Sequence, residues 1–173
     1  MRTVFLVRPD AAEVRLRVEG FGWVWVWLPV AIACGAIAVE STQLMSANHT
    51  SSWLRPIVER IFGRMNNNTW TWVHHLIRKT GHFTGYGLVC LSFLRGWLLT
   101  LARREGPTDE AWRWRSCGLA VASTFLVASC DEIHQTFVPG RTGMFSDVLL
   151  DTGGAVVMCG VVWVFRRARR NQD

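Results

Sequence analysis

The chain has 173 residues, half of them apolar and 18% charged, with a net charge of +6 in which nearly all of the nineteen basic residues are arginine. That balance excludes a disordered chain, which lacks the apolar residues for a core, and a fibrous one. Because the apolar residues fall into a few long runs with the charges collected between them, the basic surplus reads as membrane-flanking arginine and not as a nucleic-acid surface.

The first run, 21–39, carries no charge over nineteen residues. At about 1.5 Å per residue it nearly crosses a hydrocarbon core of about 30 Å. Its basic approach and the small residues Ala36 and Ala38 imitate a secretory signal, but the stretch reads as a retained span. The segment that follows is too polar to span. Ser51 or Ser52 is expected to cap a helix in which Leu54, Ile57, Ile61 and Met65 share one face while Arg55, Glu59 and Arg64 turn away. Asn66, Asn67 and Asn68 are expected to break it, and Thr69 to restart a helix carrying Trp70, Trp72, Val73, Leu76 and Ile77. The segment 51–79 thus reads as outer interfacial structure, with His49, His74 and His75 as interfacial loop residues.

Three more spans follow, at about 82–101, 117–137 and 147–165. Arg95 lies near the far end of the second, where a long side chain can snorkel. The third becomes polar after Cys130. Between the third and fourth, Pro139, Gly140 and Gly143 mark a compact reversal, and Ser146 is expected to cap the fourth span. The five cysteines stand singly, without metal-ligand spacing, and read as small apolar residues. The expected fold class is an all-α membrane protein: one domain over 1–173, a four-transmembrane-helix bundle with short amphipathic interfacial helices on its outer side.

Arginine asymmetry orients the bundle, because positively charged loops stay cytoplasmic. Arg2, Arg8, Arg15 and Arg17 precede the first span, Arg103, Arg104, Arg113 and Arg115 join the second to the third, and Arg166, Arg167, Arg169 and Arg170 follow the fourth. With Arg95, thirteen of the nineteen basic residues fall on one side. The expectation is a multi-pass protein of the cell membrane with both termini cytoplasmic. Trp23, Trp25, Trp27, Trp97, Trp112, Trp114 and Trp163 then lie at inner span ends, and Trp53, Trp70 and Trp72 form an outer belt.

Ionisable groups near membrane depth are costly and usually mark function. Here they gather at the outer ends of the spans: Glu40, Lys79, His82, Asp131, Glu132, His134, Arg141, Asp147 and Asp151, with Gln43, Gln135 and Ser146 as neutral companions. Lys79, His82 and Tyr86 follow i, i+3, i+7 and form one stripe, while Asp131 and Gln135, and Asp147 and Asp151, are i, i+4 pairs. Asp147 and Asp151 also sit in early turns, where the helix dipole favours negative charge. The bland alternatives are a dipole partner for Asp147, a solvated helix end for Glu40, and a structural ion pair of Arg141 with Asp131 or Glu132.

The segments RKTGHFTGYGLV (78–89) and DEIHQTFVPGRTGMFSDVLLDTGGAVVMCG (131–160) resemble the two signature blocks of the VanZ-like family, named for an accessory protein of teicoplanin resistance. Lys79, His82, Phe83 and Tyr86 meet the first pattern. Asp131, Glu132, Gln135, Phe137, Pro139, Gly140, Arg141, Ser146, Asp147, Asp151, Thr152 and Gly154 meet the second, although the family often carries Asn at the position of Asp151. The resemblance implies an integral membrane protein of the cell envelope, tied in some members to lipoglycopeptide resistance, and implies no particular reaction.

Two functions from different classes follow. In the first, His82 with Asp131 or Glu132 forms a catalytic acid/base pair acting on a lipid-linked or glycolipid headgroup at the outer leaflet. Lys79 and Arg141 hold a phosphate or carboxylate, Asp147 and Asp151 orient the cations or coordinate a divalent ion, and Tyr86, Gln135 and Ser146 complete the substrate site. In the second, the same groups bind an envelope lipid or a lipid-tailed antibiotic without turnover and alter access to the cell wall. The expected partners are a membrane lipid, a lipid-linked envelope glycan or a lipoglycopeptide, with no nucleic acid. The sequence names no cofactor, metal or oligomeric state.

Overall fold

The computed structural model describes residues 22–105 and 111–170; the leading arginines Arg2, Arg8, Arg15 and Arg17 lie outside them. The described chain is helical, with no strand among its residues: α1 (Gly22–Glu40), a 3-10 turn (Gln43–Met45), α2 (Ala47–Phe62), α3 (Asn67–Glu105), α4 (Ala111–Thr136) and α5 (Phe145–Arg170). Four of these, all but α2, are long and apolar enough to cross a membrane.

Two differences from the sequence reading concern the segment before the second span. The helix α2 begins at Ala47, preceded by Ser46, and ends at Gly63, whose positive φ of 86° suits a residue without a Cβ. Ser51 and Ser52 therefore lie inside the helix and do not cap it. More important, the chain does not break again after 67. Asn66 Oδ1 accepts the Thr69 N–H at 2.8 Å and caps a 39-residue helix that runs without interruption to Glu105. At about 1.5 Å per residue α3 measures about 58 Å, nearly twice the hydrocarbon thickness, so its first turns stand outside the apolar layer.

The projecting part of α3 is what α2 packs on. Trp70 and His74 are buried and stacked, with ring centroids 5.2 Å apart. Trp70 Nε1 donates to Ser51 Oγ at 2.7 Å, and Thr50 Oγ1 lies 3.0 Å from His74 Nε2. Arg55 is not turned away: it pairs with Glu59 at 2.8 Å, donates to Asn67 Oδ1 at 3.0 Å and lies over the Trp70 ring. His49 in α2 and His74 and His75 in α3 are accordingly helical residues and not loop residues.

In the bundle, α3 and α5 run in the same direction, α1 and α4 opposite to them. The α3/α5 contact is the most extensive among the described elements. Its register is set where either helix offers no side chain: a Cβ on Gly154 of α5 would collide with the Phe83 carbonyl, and one on Gly87 of α3 would meet Met158 Cγ at 2.7 Å. Small residues let helix backbones approach closely in a membrane, where no hydrophobic effect drives helices together. One buried cluster, with Leu94, Leu98, Leu99, Trp112, Ala120 and Ala155, fills the arginine-rich half, and a second, with Ile37, Tyr86, Val89, Ala128 and Val148, fills the other. The cysteines are all free, and Cys90 and Cys159 meet with sulfurs 3.6 Å apart.

Helix α1 is mostly exposed and is tied to the rest by two arginines. Pro29 has no N–H, so the Trp25 carbonyl four residues earlier lacks its helical donor. Arg95 supplies one, donating from Nη1 to Trp25 O at 3.1 Å and to Val26 O at 2.9 Å. This side chain is thus bonded to the neighbouring helix near the start of α1. At the other end Arg141 donates to the carbonyls of Glu40 (2.5 Å), Thr42 (3.2 Å) and Met45 (2.9 Å), groups that a helix C-terminus leaves unpaired. Trp27 packs on Gly96 and edge-on to Trp97, completing the α1/α3 seam.

Candidate functional site

The parallel register of α3 and α5 turns two sequence spacings into side-chain pairs. Lys79 on α3 meets Asp147 on α5 in an ion pair, and one turn deeper His82 Nδ1 lies 3.7 Å from Asp151 Oδ2. One further turn along α3, Tyr86 is fully buried with its ring stacked on His82, centroids 6.3 Å apart. The Lys79, His82, Tyr86 stripe therefore faces α5 and the bundle interior.

Helix α4 delivers the other acids from the opposite direction. Asp131 accepts from Ser41 Oγ, just past the end of α1, and from Gln135 Nε2 at 2.9 Å. Gln135 Oε1 in turn accepts from Arg141 Nη1 at 3.4 Å. Glu132 turns towards the start of α5, where its Oε2 accepts the Met144 N–H at 2.8 Å, and Gly143 is so close that a Cβ there would strike the Glu132 carbonyl. A carboxylate at this position satisfies an orphan donor and lies at the favourable end of the helix dipole. The turn itself uses Gly140, with φ of 77°.

Of the residues singled out from sequence, then, Lys79, His82, Tyr86, Asp131, Gln135, Asp147 and Asp151 line the polar end of the bundle. Asp131 and Glu132, expected beside His82 as its acid/base partner, have Ser41, Gln135 and the Met144 N–H as their hydrogen-bond partners, whereas Asp151 is the acid in ion-pair range of the imidazole. Arg141 is spent on backbone carbonyls; burial pulls its pKa below the ordinary arginine value, while Asp131, Glu132 and Glu40 oppose that effect. Ser146 is exposed in the first turn of α5, 3.4 Å from Asp147, and does not cap the helix, which begins one residue earlier at Phe145. His134 is exposed. Ser41 was not legible as a site residue: a serine at a helix end is common, and its only signal was its level, directly past the first apolar run.

The electrostatic character of the site lies in what stays unsatisfied. His82 Nδ1, the Tyr86 hydroxyl, both Asp151 oxygens and Arg141 Nε are buried without a hydrogen-bond partner among the described residues. Asp151 is 0% exposed. A buried carboxylate with one partner at 3.7 Å is expensive, costing several kcal/mol unless something else bonds to it. Among the described residues no group of three or more His, Cys, Asp and Glu side chains could hold a metal ion.

The fold and this cluster define a polytopic membrane protein with a half-buried polar site at one end of a four-span bundle. The chain belongs to the VanZ/LLP1 family, whose model matches residues 21–166, all four spans included. No curated protein and no solved structure matches the chain.

Proposed function

We propose that this VanZ-like protein receives the polar headgroup of a lipid-linked or glycolipid envelope component in the site between α3, α4 and α5. The arginine asymmetry supports an orientation in the cell membrane with termini cytoplasmic and this site at the outer leaflet. The observation that carries the reading is the unsatisfied Asp151, Tyr86 and His82 group. Its open charge is an acceptor: Asp151 has two open oxygens, while Lys79 is neutralised by Asp147 and Arg141 gives its Nη groups to backbone carbonyls and Gln135, leaving only Nε open. Such a site favours a ligand rich in donors, sugar hydroxyls or an ammonium group, over a bare phosphate. The apolar tail would lie along the exposed faces of the spans.

Mass spectrometry of lipids that co-purify from envelope extracts tests this. Wild-type protein is expected to retain a hydroxyl- or amine-bearing lipid, and Asp151→Asn and Tyr86→Phe to retain about tenfold less, because a hydrogen bond to a charged group is worth about 1.5–3 kcal/mol. Equal retention by all three defeats the reading. A second reading, turnover, takes His82 as a general base whose charged form the Asp151 carboxylate, 3.7 Å away, stabilises through space. It requires that wild type convert the retained lipid and that His82→Ala abolish conversion of whatever lipid it still retains. In either reading, sequestering or altering an envelope lipid would change how a lipoglycopeptide such as teicoplanin reaches the cell wall.

A further inference from the structure

The far half of the bundle carries a feature that the polar site does not use. Helices α4 and α5 leave between them an open groove of about 830 Å³, lined by Trp114, Gly118, Ala122 and Phe125 on one side and by Val156 and Trp163 on the other. Its lining is almost wholly apolar. It extends from Trp114 to Leu126 along α4, and at about 1.5 Å per residue that is about 18 Å, close to one leaflet's half of a hydrocarbon core of about 30 Å. Gly118 and Gly160 border open space in it, since a Cβ on either would meet nothing within 4 Å.

The end of the groove away from the polar site is chemically distinct. Trp114 and Trp163 face each other there with ring centroids 5.9 Å apart, and the Arg167 guanidinium lies over the Trp163 ring at 5.3 Å. Arg113, Arg115 and Arg166 share this end, and no Asp or Glu occurs in 111–130 of α4 or 152–170 of α5. Arg113, Arg115 and Arg166 each have a partner within the protein, but a guanidinium has five donors and keeps its charge, so a phosphate can be added to those partners. A tail-length apolar groove that opens at an aromatic and cationic rim is complementary to one kind of molecule. We propose that the α4/α5 groove binds a single anionic phospholipid, its acyl chain along Gly118, Ala122 and Val156 and its phosphate among Arg115, Arg166 and Arg167. This site is separate from the headgroup site and does not depend on it.

Native mass spectrometry of the purified full chain, titrated with phosphatidylglycerol and in parallel with phosphatidylcholine, tests the assignment. One phosphatidylglycerol is expected to bind at least about tenfold more tightly than phosphatidylcholine, since each arginine near a lipid surface is worth about 1 kcal/mol. Arg115→Gln combined with Arg167→Gln is expected to erase that preference, while Gly118→Leu combined with Gly160→Leu fills open space and is expected to lose both lipids. Equal affinity for the two lipids in wild type overturns the proposal whatever the variants do. So does undiminished phosphatidylglycerol binding by the glycine-filled protein, or a dimer that the filled protein cannot form and that carries no lipid.

Discussion

The Asp151 carboxylate lies 3.7 Å from the His82 imidazole and is closed to solvent, yet accepts no hydrogen bond among the described residues. The pair is therefore close enough to share charge and too far apart for either group to satisfy the other.

That relationship predicts an asymmetry. Removing the imidazole in His82→Ala leaves a buried charge alone, and loss of one partner of a buried pair costs about 3–5 kcal/mol. Asp151→Asn removes the charge and is expected to leave the melting temperature in detergent unchanged or raised. The double substitution is expected to recover most of the stability lost in His82→Ala, a coupling of at least about 1 kcal/mol in a double-mutant cycle. Additive losses in thermal melts would show that the two residues do not interact.

The space beside Gly154 in the α3/α5 seam and beside Gly118 on α4 predicts opposite signs for two glycines. Gly154→Ala must push α5 away from the Phe83 carbonyl and is expected to destabilise by about 1–3 kcal/mol. Gly118→Ala points into open space in a helix and is expected to gain up to about 1 kcal/mol from helix propensity. Chemical denaturation in mixed micelles measures both; a harmless Gly154→Ala contradicts the close approach.

Arg95 and Pro29 form a matched set. Arg95→Leu is expected to leave the Trp25 carbonyl unpaired and to lower stability by about 1–3 kcal/mol. Restoring the missing donor with Pro29→Ala in the same chain should offset much of that loss. If Pro29→Ala does not soften the effect of Arg95→Leu on the thermal melt, the side chain is not compensating the proline.

Glu59 gives the α2/α3 contact a pH dependence. The hydrogen bond from Arg55 is the main cause that holds the Glu59 pKa below the ordinary carboxylate value, so the folded value is lower than the unfolded one. The pair therefore contributes fully above the unfolded pKa of about 4.3 and loses its contribution as pH falls through the folded value. Once the intrinsic slowing of amide exchange at lower pH is divided out, the protection of the α2 amides is expected to fall on acidification over that range, with the change small because the pair is only half-buried, and the fall is expected to vanish in Glu59→Gln.

Arg141→Gln is expected to free the end of α1. The guanidinium bonds to the carbonyls of Glu40, Thr42 and Met45, and no neutral side chain of that length reaches all three. Limited proteolysis at 40–46 should accelerate, while the cut rate in the 63–66 connection, away from the substitution, serves as the internal reference. An unchanged ratio of the two rates removes the clamp.

How much of this was legible beforehand depended on the range of the interaction. The four spans follow from local composition, because a bilayer core demands an uninterrupted apolar stretch and the sequence supplies one at each place. The polar end was legible for the same reason, since costly ionisable residues such as His82, Asp131 and Asp151 stand out against apolar runs. Helix continuity was less so: the asparagines at 66–68 read as a break, but Asn66 starts a helix and the next two lie within it.

Pairing was beyond the sequence altogether. Spacing put Lys79 and His82 on one face and Asp147 and Asp151 on another, but which acid met which base depended on how far α5 slides along α3. The bare backbone at Gly154 against Phe83 decides that register, and with it that His82 faces Asp151 while Asp131 and Glu132 serve Ser41, Gln135 and the first turn of α5. The sequence by itself determined that this is a four-span membrane protein with acids and bases at one end, because burial in lipid constrains each residue locally. Only the tertiary structure decided which charges cancel and which stay open, because that depends on contacts between helices far apart in the chain.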